Sequence, residues 1–448
     1  MGSAIRLTAE IVIRTSSVIA TLWLTRSLGV TSFGTFLLAL STGLVIAELC
    51  DLGLNAIVVP LVVRSRRNLK TIFLMKAVMS LVVAALCAAL IPLGSTLVGI
   101  AAGPLVLCTV HFLGAGWIEM MGAALRALGR RIDEAVLLLV FRFTLVALVI
   151  LSPFGAGVDG ASRAYALSIG PALLLGALLF RQGVEADAAA GATVRAIVRQ
   201  AVPMGVNGYL AIISTRVELF LLQIFHGQHV VGLFGGAVRI VESLLTLPTA
   251  IAAGALPSVA RDVVRGSRGA AQRTFGLVVW IGVPAALGLA LCAPGVLAVL
   301  GPGFADAATP LRILSAALLL GFSNAALFHL LIAAGDTGLV PRLTGLRVAV
   351  AASLGLVLIP SLGATGGAMS FTAAELVLFG ALIRKARVHA EVEVSRPLGA
   401  ALLACAPMVL FLWFGRFSLP VTILAGALLF AASGAAILRR GTEAGGLA

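Results

Sequence analysis

Thirteen ionisable side chains stand inside long apolar runs, where a charge is costly unless a cavity or a partner compensates it. Six are cations and seven are acids. The cations are Arg14, Lys76, Arg142, Arg216, Arg239 and Arg347, and the acids are Glu10, Glu48, Asp51, Glu119, Glu218, Glu242 and Glu375. So many charges in apolar sequence indicate a functional site built from the apolar segments themselves.

The arginines indicate an anionic ligand. A guanidinium does not deprotonate in proteins, and its planar fork binds phosphate oxygens in pairs. Several arginines from both halves of the chain are expected to line one electropositive cavity that suits a pyrophosphate-linked lipid and not a cationic drug. The candidate pyrophosphate-binding residues are Arg14, Arg142, Arg216, Arg239 and Arg347. Any of them that an acid neutralises would be structural instead.

The other charged residues within the apolar runs have several interpretations. Glu10, Glu119 and Lys76 lie near the ends of apolar runs, from which a side chain can extend to the membrane interface. Arg239 and Glu242 are three residues apart, a spacing that favours a local pair on one helix. The sequence has no GxxxxGK[ST] motif for ATP. A membrane potential or a cation gradient, H+ or Na+, is therefore the expected energy source, with Glu218, Asp51 and Glu48 as coupling-ion candidates.

The composition defines the class of protein. Of 448 residues, 60% are hydrophobic and 11% are charged, and the mean hydropathy is +1.12. An ordinary soluble domain has about 25% charged residues. Long continuous apolar runs also exclude a disordered chain and an outer-membrane barrel, whose strands alternate apolar and polar residues. We therefore predict an all-α polytopic membrane protein.

Runs of about 20 apolar residues predict about fourteen transmembrane helices. They are grouped as an N-terminal six-helix lobe at 1–180, a linker at 181–199, a second six-helix lobe at 200–384, and an extra helix pair with its tail at 385–448. With the N-terminus inside, 22 of the 32 Lys and Arg residues fall in inside loops and 4 in outside loops. This bias predicts that both termini are cytoplasmic.

The net charge, the cysteines and the loops indicate which partners and sites are not expected. The net charge of +14 is divided among short loops, as in membrane proteins, and does not indicate nucleic acid. The five cysteines all lie in apolar runs and form no CxxC pair, so no metal site or cofactor is expected. The loops are too short to hold a soluble domain, and their polar residues form no catalytic constellation. We expect a monomer that is not an enzyme and whose surroundings are the lipid bilayer.

The two groups of six helices share a weak repeat. At an offset of 198 residues, Gly29 matches Gly227, Gly34 matches Gly232, and the pairs Phe36/Phe234 and Ala39/Ala237 follow. A six-helix unit returns the chain to the same side of the membrane. The pattern therefore predicts two parallel halves related by an axis along the membrane normal.

Several segments, in order, resemble a known family. They are Arg26-Ser-Leu-Gly29 with Phe33-Gly34; Asp51-Leu-Gly-Leu54; Arg216-Val-Glu218; Ala237-Val-Arg239; Ala255-Leu-Pro257; Leu300-Gly301-Pro-Gly-Phe304; and Ala333-Ala-Gly-Asp336. Over residues 10–385 the chain resembles the polysaccharide-repeat, or lipid-linked oligosaccharide, flippases of the multidrug/oligosaccharidyl-lipid/polysaccharide exporter superfamily.

This resemblance implies a V-shaped pair of lobes and alternating access. It also implies transport of an undecaprenyl-pyrophosphate-linked oligosaccharide across the bacterial cytoplasmic membrane for cell-surface polysaccharide assembly. Many polysaccharide flippases have twelve predicted helices, whereas lipid II flippases have fourteen, of which the last two form a groove for the lipid tail. Three further functions stay open: a lipid II flippase, a multidrug or cation antiporter of the same fold, and a membrane polysaccharide polymerase or ligase. The repeat disfavours an ion channel.

Overall fold

The structure is a computed structural model. It describes the backbone of residues 2–181, 191–265, 269–333, 338–390, 393–414 and 419–445. Within these ranges, the side chains of 2–15, 90, 92–94, 96–98, 263–265, 387–390, 414 and 435–445 are not described.

The described chain is built from α-helices and contains no strand within those ranges. The first six helices are α1 (Gly2–Asp51), α2 (Leu54–Arg64), α3 (Asn68–Val98), α4 (Ala102–Ala127), α5 (Arg131–Leu151) and α6 (Val158–Arg181). The next five are α7 (Val194–His226), α8 (Gln228–Arg265), α9 (Gly269–Leu291), α10 (Ala293–Leu300) and, after a 3-10 turn at Pro302–Ala307, α11 (Ala308–Ala333). The last three are α12 (Leu339–Ala390), α13 (Ser395–Phe414) and α14 (Leu419–Gly445).

Two helices are too long for one crossing. At 1.5 Å per residue the 50 residues of α1 would extend about 75 Å, against a hydrocarbon core of about 30 Å. The helix bends at Gly29 (φ 70°), and α12, with 52 residues, bends at Gly363 (φ 53°). A positive φ is accessible to glycine without a steric penalty. Each bent helix therefore provides two crossings.

The described helices account for the predicted number of crossings. Eleven segments are long and apolar enough to span a membrane, and α14 contributes a shorter apolar helix at Leu419–Gly434. With α1–α2 and α12 each crossing twice, these make fourteen. The prediction of an all-α polytopic membrane protein is confirmed.

The chain forms two compact units. Unit 1 comprises Met1–Arg216 with Gly227–Gly232, and unit 2 comprises Val217–His226 with Leu233–Ala448. The lobe and linker boundaries expected from the sequence stay a prediction.

Each unit is organised around one helix. In unit 1, α4 contacts α1, α2, α3, α5 and α6, and in unit 2, α11 contacts α9, α10 and α12. Small residues permit this close packing: a side chain at Gly43 would collide with the backbone of Cys108 and Thr109 on α4. Two polar residues of α4, Thr109 and His111, are buried by this packing, at 3% exposed each. This arrangement positions the charged residues of unit 1.

Candidate functional site

Unit 1 contains a polar cavity of about 130 Å³. Helices α1 to α5 supply its lining, which is Leu44, Ala47, Glu48, Asp51, Asn55, Lys76, His111, Phe112, Leu113, Ala115, Gly116, Glu119, Phe141 and Arg142. A water molecule occupies about 30 Å³ in the liquid. The cavity is thus large enough for a few water molecules or a small ion with part of its hydration shell.

Asp51 and Lys76 form an ion pair at one wall of this cavity. Both are buried, with Asp51 6% and Lys76 2% exposed. The backbone N–H of Asn55 also donates to Asp51 Oδ2 at 3.2 Å. The expectation that Lys76 extends to an interface is wrong: a buried ammonium requires a counter-charge, and Asp51 supplies it from the neighbouring helix.

Glu48 lies one helical turn before Asp51 and also lines the cavity. Its carboxylate lies against α7, because a Cβ built on Gly208 would come within 2.2 Å of Glu48 Oε1. The absence of a side chain at Gly208 therefore leaves the space that this carboxylate occupies.

Glu119 on α4 and Arg142 on α5 line the same cavity. The Arg142 guanidinium lies over the Phe141 ring, 5.1 Å from its centroid. With Asp51 and Lys76 paired, the cavity holds three carboxylates, from Glu48, Asp51 and Glu119, and two cations. Counted by formal charge, the cavity has one negative charge in excess, which a proton or a monovalent cation would neutralise.

His111 and Asn55 are cavity residues that the charge-based search of the sequence missed. His111 Nδ1 lies 2.8 Å from the Tyr165 carbonyl oxygen, and the imidazole packs beside the Phe141 and Tyr165 rings. The Asn55 amide donates to the Gly116 carbonyl at 3.4 Å, whereas its Oδ1 is buried without a hydrogen-bond donor. The i, i+4 spacing of Asp51 and Asn55 was the available signal, since it places both on one helix face.

A second buried charged cluster lies in unit 2. Arg347 Nε donates to Glu375 Oε1 at 2.7 Å, and Asn324 Nδ2 donates to Glu375 Oε2 at 2.7 Å. The side chains of Arg347 and Glu375 are 8% and 9% exposed, and the guanidinium lies 4.9 Å from the centroid of the Phe371 ring. Glu375 thus neutralises Arg347. Since an arginine that an acid neutralises is expected to be structural, this pairing favours a structural role for Arg347.

The other predicted residues fall in different places. Arg239 Nη1 lies 3.1 Å from Glu242 Oε2, so this predicted local pair forms. Arg216 is the last residue of the first segment of unit 1, and Glu218 belongs to unit 2. Both residues are buried, at 8% and 1% exposed. Arg14 lies in α1, but its side chain is outside the described residues. A single electropositive cavity that contains all five arginines stays a prediction.

The described residues include no group of three or more His, Cys, Asp and Glu side chains arranged to hold a metal ion. The carboxylates of the unit 1 cavity have Lys76 and Arg142 among them instead. The two basic side chains therefore compensate part of the acidic charge of this cavity.

Comparison with known proteins identifies relatives. A model of the polysaccharide biosynthesis protein family matches residues 2–261, more than half of the chain. No curated protein matches the chain in a sequence comparison.

Solved structures share the fold. The lipid II flippase MurJ in an inward closed conformation aligns with a TM-score of 0.82 at 12% identity, covering 97% of this chain and 98% of that one. An inward-facing multidrug resistance transporter of the MATE family, in the MOP superfamily, aligns with a TM-score of 0.65 at 16% identity, covering 87% and 98%. A MOP superfamily transporter from Pyrococcus furiosus, described as having a binding pocket of reverse polarity, gives 0.57 at 16% identity, covering 86% and 93%.

These structures are described as flippases and transporters rather than enzymes, in agreement with the expectation for this chain. At such low identity they establish the fold, and with the family match they confirm the resemblance found in the sequence.

Proposed function

We infer the function from one premise: this chain belongs to the family of polysaccharide biosynthesis proteins. We propose that it is a flippase that moves an undecaprenyl-pyrophosphate-linked oligosaccharide across the bacterial cytoplasmic membrane by alternating access. The observation that carries the proposal is the combination of this family match with a fold shared over 97% of the chain with a lipid II flippase. That neighbour's cargo is also a lipid-linked molecule by its name.

Lipid II is the second candidate cargo. The high TM-score of the lipid II flippase and the helix pair α13–α14 favour it, whereas the family match favours a polysaccharide precursor. Purified protein in proteoliposomes, given fluorescent undecaprenyl-pyrophosphate-linked oligosaccharide or fluorescent lipid II, separates the two. We expect faster loss of accessible fluorescence with the oligosaccharide. Transport of lipid II alone would overturn the cargo assignment, and transport of neither would overturn the flippase.

An antiporter and a membrane enzyme have weaker support than either flippase. A multidrug or cation antiporter would need a site for cationic drugs, and the arginines within the membrane-spanning helices disfavour it. A polymerase or ligase would need a chemical site, for which the described loops provide no constellation. The proteoliposome assay also distinguishes these cases, because an enzyme would change the mass of its lipid-linked substrate and a flippase would not.

The pyrophosphate is proposed to contact arginines within the spanning helices, and the five candidates differ in support. Arg239 and Arg347 each have an acidic partner, which weakens their case. Arg142 lines the unit 1 cavity together with three acidic side chains, and it stays a candidate with Arg14 and Arg216. An Arg→Lys change keeps the charge and removes the bidentate fork. A binding arginine should lose transport on this change while the protein still reaches the membrane.

The driving cation, H+ or Na+, is proposed to act at a carboxylate. Asp51 is neutralised by Lys76, whereas Glu48 lines a cavity with an excess negative charge. Glu48 is therefore favoured over Asp51 as the site of the driving cation. Glu218, which is deeply buried on α7, stays a second candidate for this site. Both termini are proposed to be cytoplasmic and the protein to work as a monomer.

A further inference from the structure

One face of α8 is polar at a depth where a membrane helix normally presents apolar residues to lipid. Arg239, Glu242, Ser243, Thr246 and Thr249 lie near the middle of this helix, which extends from Gln228 to Arg265. At 100° per residue they fall within an arc of about 120°. We call these five residues the α8 polar stripe.

The stripe is accessible, whereas a different face of the helix is buried. Ser243 and Thr249 are exposed, Arg239 and Glu242 have side chains 30% and 24% exposed, and Thr246 is half-buried. The buried face carries Val238, Val241, Ala252 and Val259, each at most 5% exposed. Helix α8 is thus anchored in unit 2 by its apolar face, and the stripe points away from that contact.

A lipid environment does not suit this face. The hydroxyls alone could be tolerated there, because each donates to its own helix backbone: Ser243 to Arg239 O, Thr246 to Ser243 O and Thr249 to Leu245 O. The ion pair is different, because it is partly exposed and charged groups within spans face the bundle interior or a water-filled cavity. The stripe therefore borders water.

The chemistry of the stripe fits an uncharged polyol. Arg239 and Glu242 neutralise each other at 3.1 Å, so the stripe has no net charge to attract a pyrophosphate. The guanidinium keeps further N–H donors, and each back-bonded hydroxyl keeps oxygen lone pairs as acceptors. Donors and acceptors alternate along about 15 Å, the rise of ten helical residues. Sugar hydroxyls both donate and accept, and so match this pattern.

We propose that the α8 polar stripe is the surface of unit 2 that contacts the glycan of the lipid-linked cargo. This assignment rests on the proposed flippase function. It gives Arg239 a sugar-binding role in place of the pyrophosphate-binding role expected from the sequence, and it separates recognition of the glycan from recognition of the pyrophosphate.

The first test measures water access without any cargo. In a variant whose five native cysteines are replaced, single cysteines at Ser243, Thr246 and Thr249 are compared with cysteines at Leu244 and Leu247. Both leucines are exposed, at 36% and 46%, but lie outside the stripe. Around the helix axis Leu247 is about 100° and Leu244 about 160° from the centre of the stripe. A small charged thiosulfonate should label the stripe on the order of ten times faster, because the reactive thiolate forms in water. Equal or reversed rates would overturn the proposal.

The second test identifies the occupant. Undecaprenyl-pyrophosphate-linked oligosaccharide should slow the labelling of the Thr246→Cys variant, and undecaprenyl pyrophosphate without sugar should not. Equal protection by both lipids, or by neither, overturns the glycan assignment. Native mass spectrometry of the same samples reports binding separately. Binding without protection contradicts only the stripe, whereas no binding of the glycolipid contradicts the flippase function itself.

The third test is functional. Thr246→Val and Thr249→Val remove a hydroxyl with little change in shape, and each should slow glycolipid transport about fivefold, the factor that corresponds to one hydrogen bond. The matched control is Thr274→Val on α9, outside the stripe. Like Thr249, Thr274 donates its hydroxyl to the carbonyl four residues earlier, at 2.8 Å. Full transport by the double Thr246→Val, Thr249→Val variant would overturn the proposal.

Discussion

Gly34 and Gly232, which are 198 residues apart, pack backbone against backbone in unit 1. A Cβ on Gly34 would lie 2.8 Å from Gly232 N and 2.0 Å from Gln228 O, and a Cβ on Gly232 would lie 2.0 Å from Val30 O. Val30 and Gln228 are also 198 residues apart, so the contact is reciprocal. Thr31 and His229, again 198 apart, are joined by a hydrogen bond of 3.1 Å. Equivalent positions of the sequence repeat thus meet each other within unit 1.

This contact predicts the effect of adding one methyl group. Gly34→Ala or Gly232→Ala should destabilise the protein by about 1–3 kcal/mol, because the new Cβ would meet backbone atoms that cannot rotate away. The apparent melting temperature in detergent, followed by fluorescence-detected gel filtration, measures this loss. Gly288→Ala is the control, since a Cβ there has no atom within 4 Å. A normal melting temperature for both Gly34→Ala and Gly232→Ala would contradict the contact.

The Arg347–Glu375 pair is expected to be structural. It links the two halves of α12 on either side of the bend at Gly363. Arg347→Met leaves a buried carboxylate without its cation and should cost about 3–5 kcal/mol, seen as a lower yield of monodisperse protein. Adding Glu375→Gln should recover most of that loss, because an amide removes the charge and still accepts from Asn324. If Arg347→Met is stable but does not transport, the arginine acts on the cargo instead.

Glu48 and Asp51 should behave differently on neutralisation. Asp51→Asn leaves the buried Lys76 ammonium without its counter-charge and should reduce the amount of folded protein. Glu48→Gln removes the excess negative charge of the cavity and should preserve folding while transport no longer responds to an imposed proton or Na+ gradient. Transport by Glu48→Gln that still follows the gradient would shift the coupling assignment to Glu218, which Glu218→Gln tests in the same assay.

Gly208 offers a milder test of the same site. A Cβ at this position would displace only the end of the Glu48 side chain, which is flexible. Gly208→Ala should therefore change the gradient dependence of transport with little effect on the melting temperature. A fall in the melting temperature as large as that of Gly34→Ala would show that the contact with α7 is structural.

The orientation can be tested at two exposed residues, Lys70 in the first turn of α3 and Asp306 in the 3-10 turn. In a cysteine-free background, Lys70→Cys should react with an impermeant maleimide only after the cells are permeabilised, because Lys70 lies in a predicted cytoplasmic loop. Asp306→Cys, in a predicted outside loop, should react in intact cells. The opposite pattern would invert the topology.

Local properties of the sequence were sufficient to predict the class of protein, the number of crossings and their approximate ends. Hydropathy over about 20 residues reflects transfer of a segment into lipid, and this transfer depends little on the rest of the chain. The breaks at Gly29 and Gly363 also follow from local chemistry, since each lies between two apolar runs and adopts a positive φ. The Arg239–Glu242 pair was predictable for the same reason, because its spacing is within one helical turn.

The tertiary structure decided which distant charges meet. Lys76 and Asp51 are 25 residues apart, Arg347 and Glu375 are 28 apart, and Asn324 reaches Glu375 over 51 residues. Each pairing depends on how a helix is rotated about its axis and against which neighbour it packs. Helices whose polar residues do not gather on one face, such as α3 and α12, carry little information about that rotation in their own sequence. The distinction between a paired, structural charge and one that borders a cavity therefore appears only when the helices are assembled.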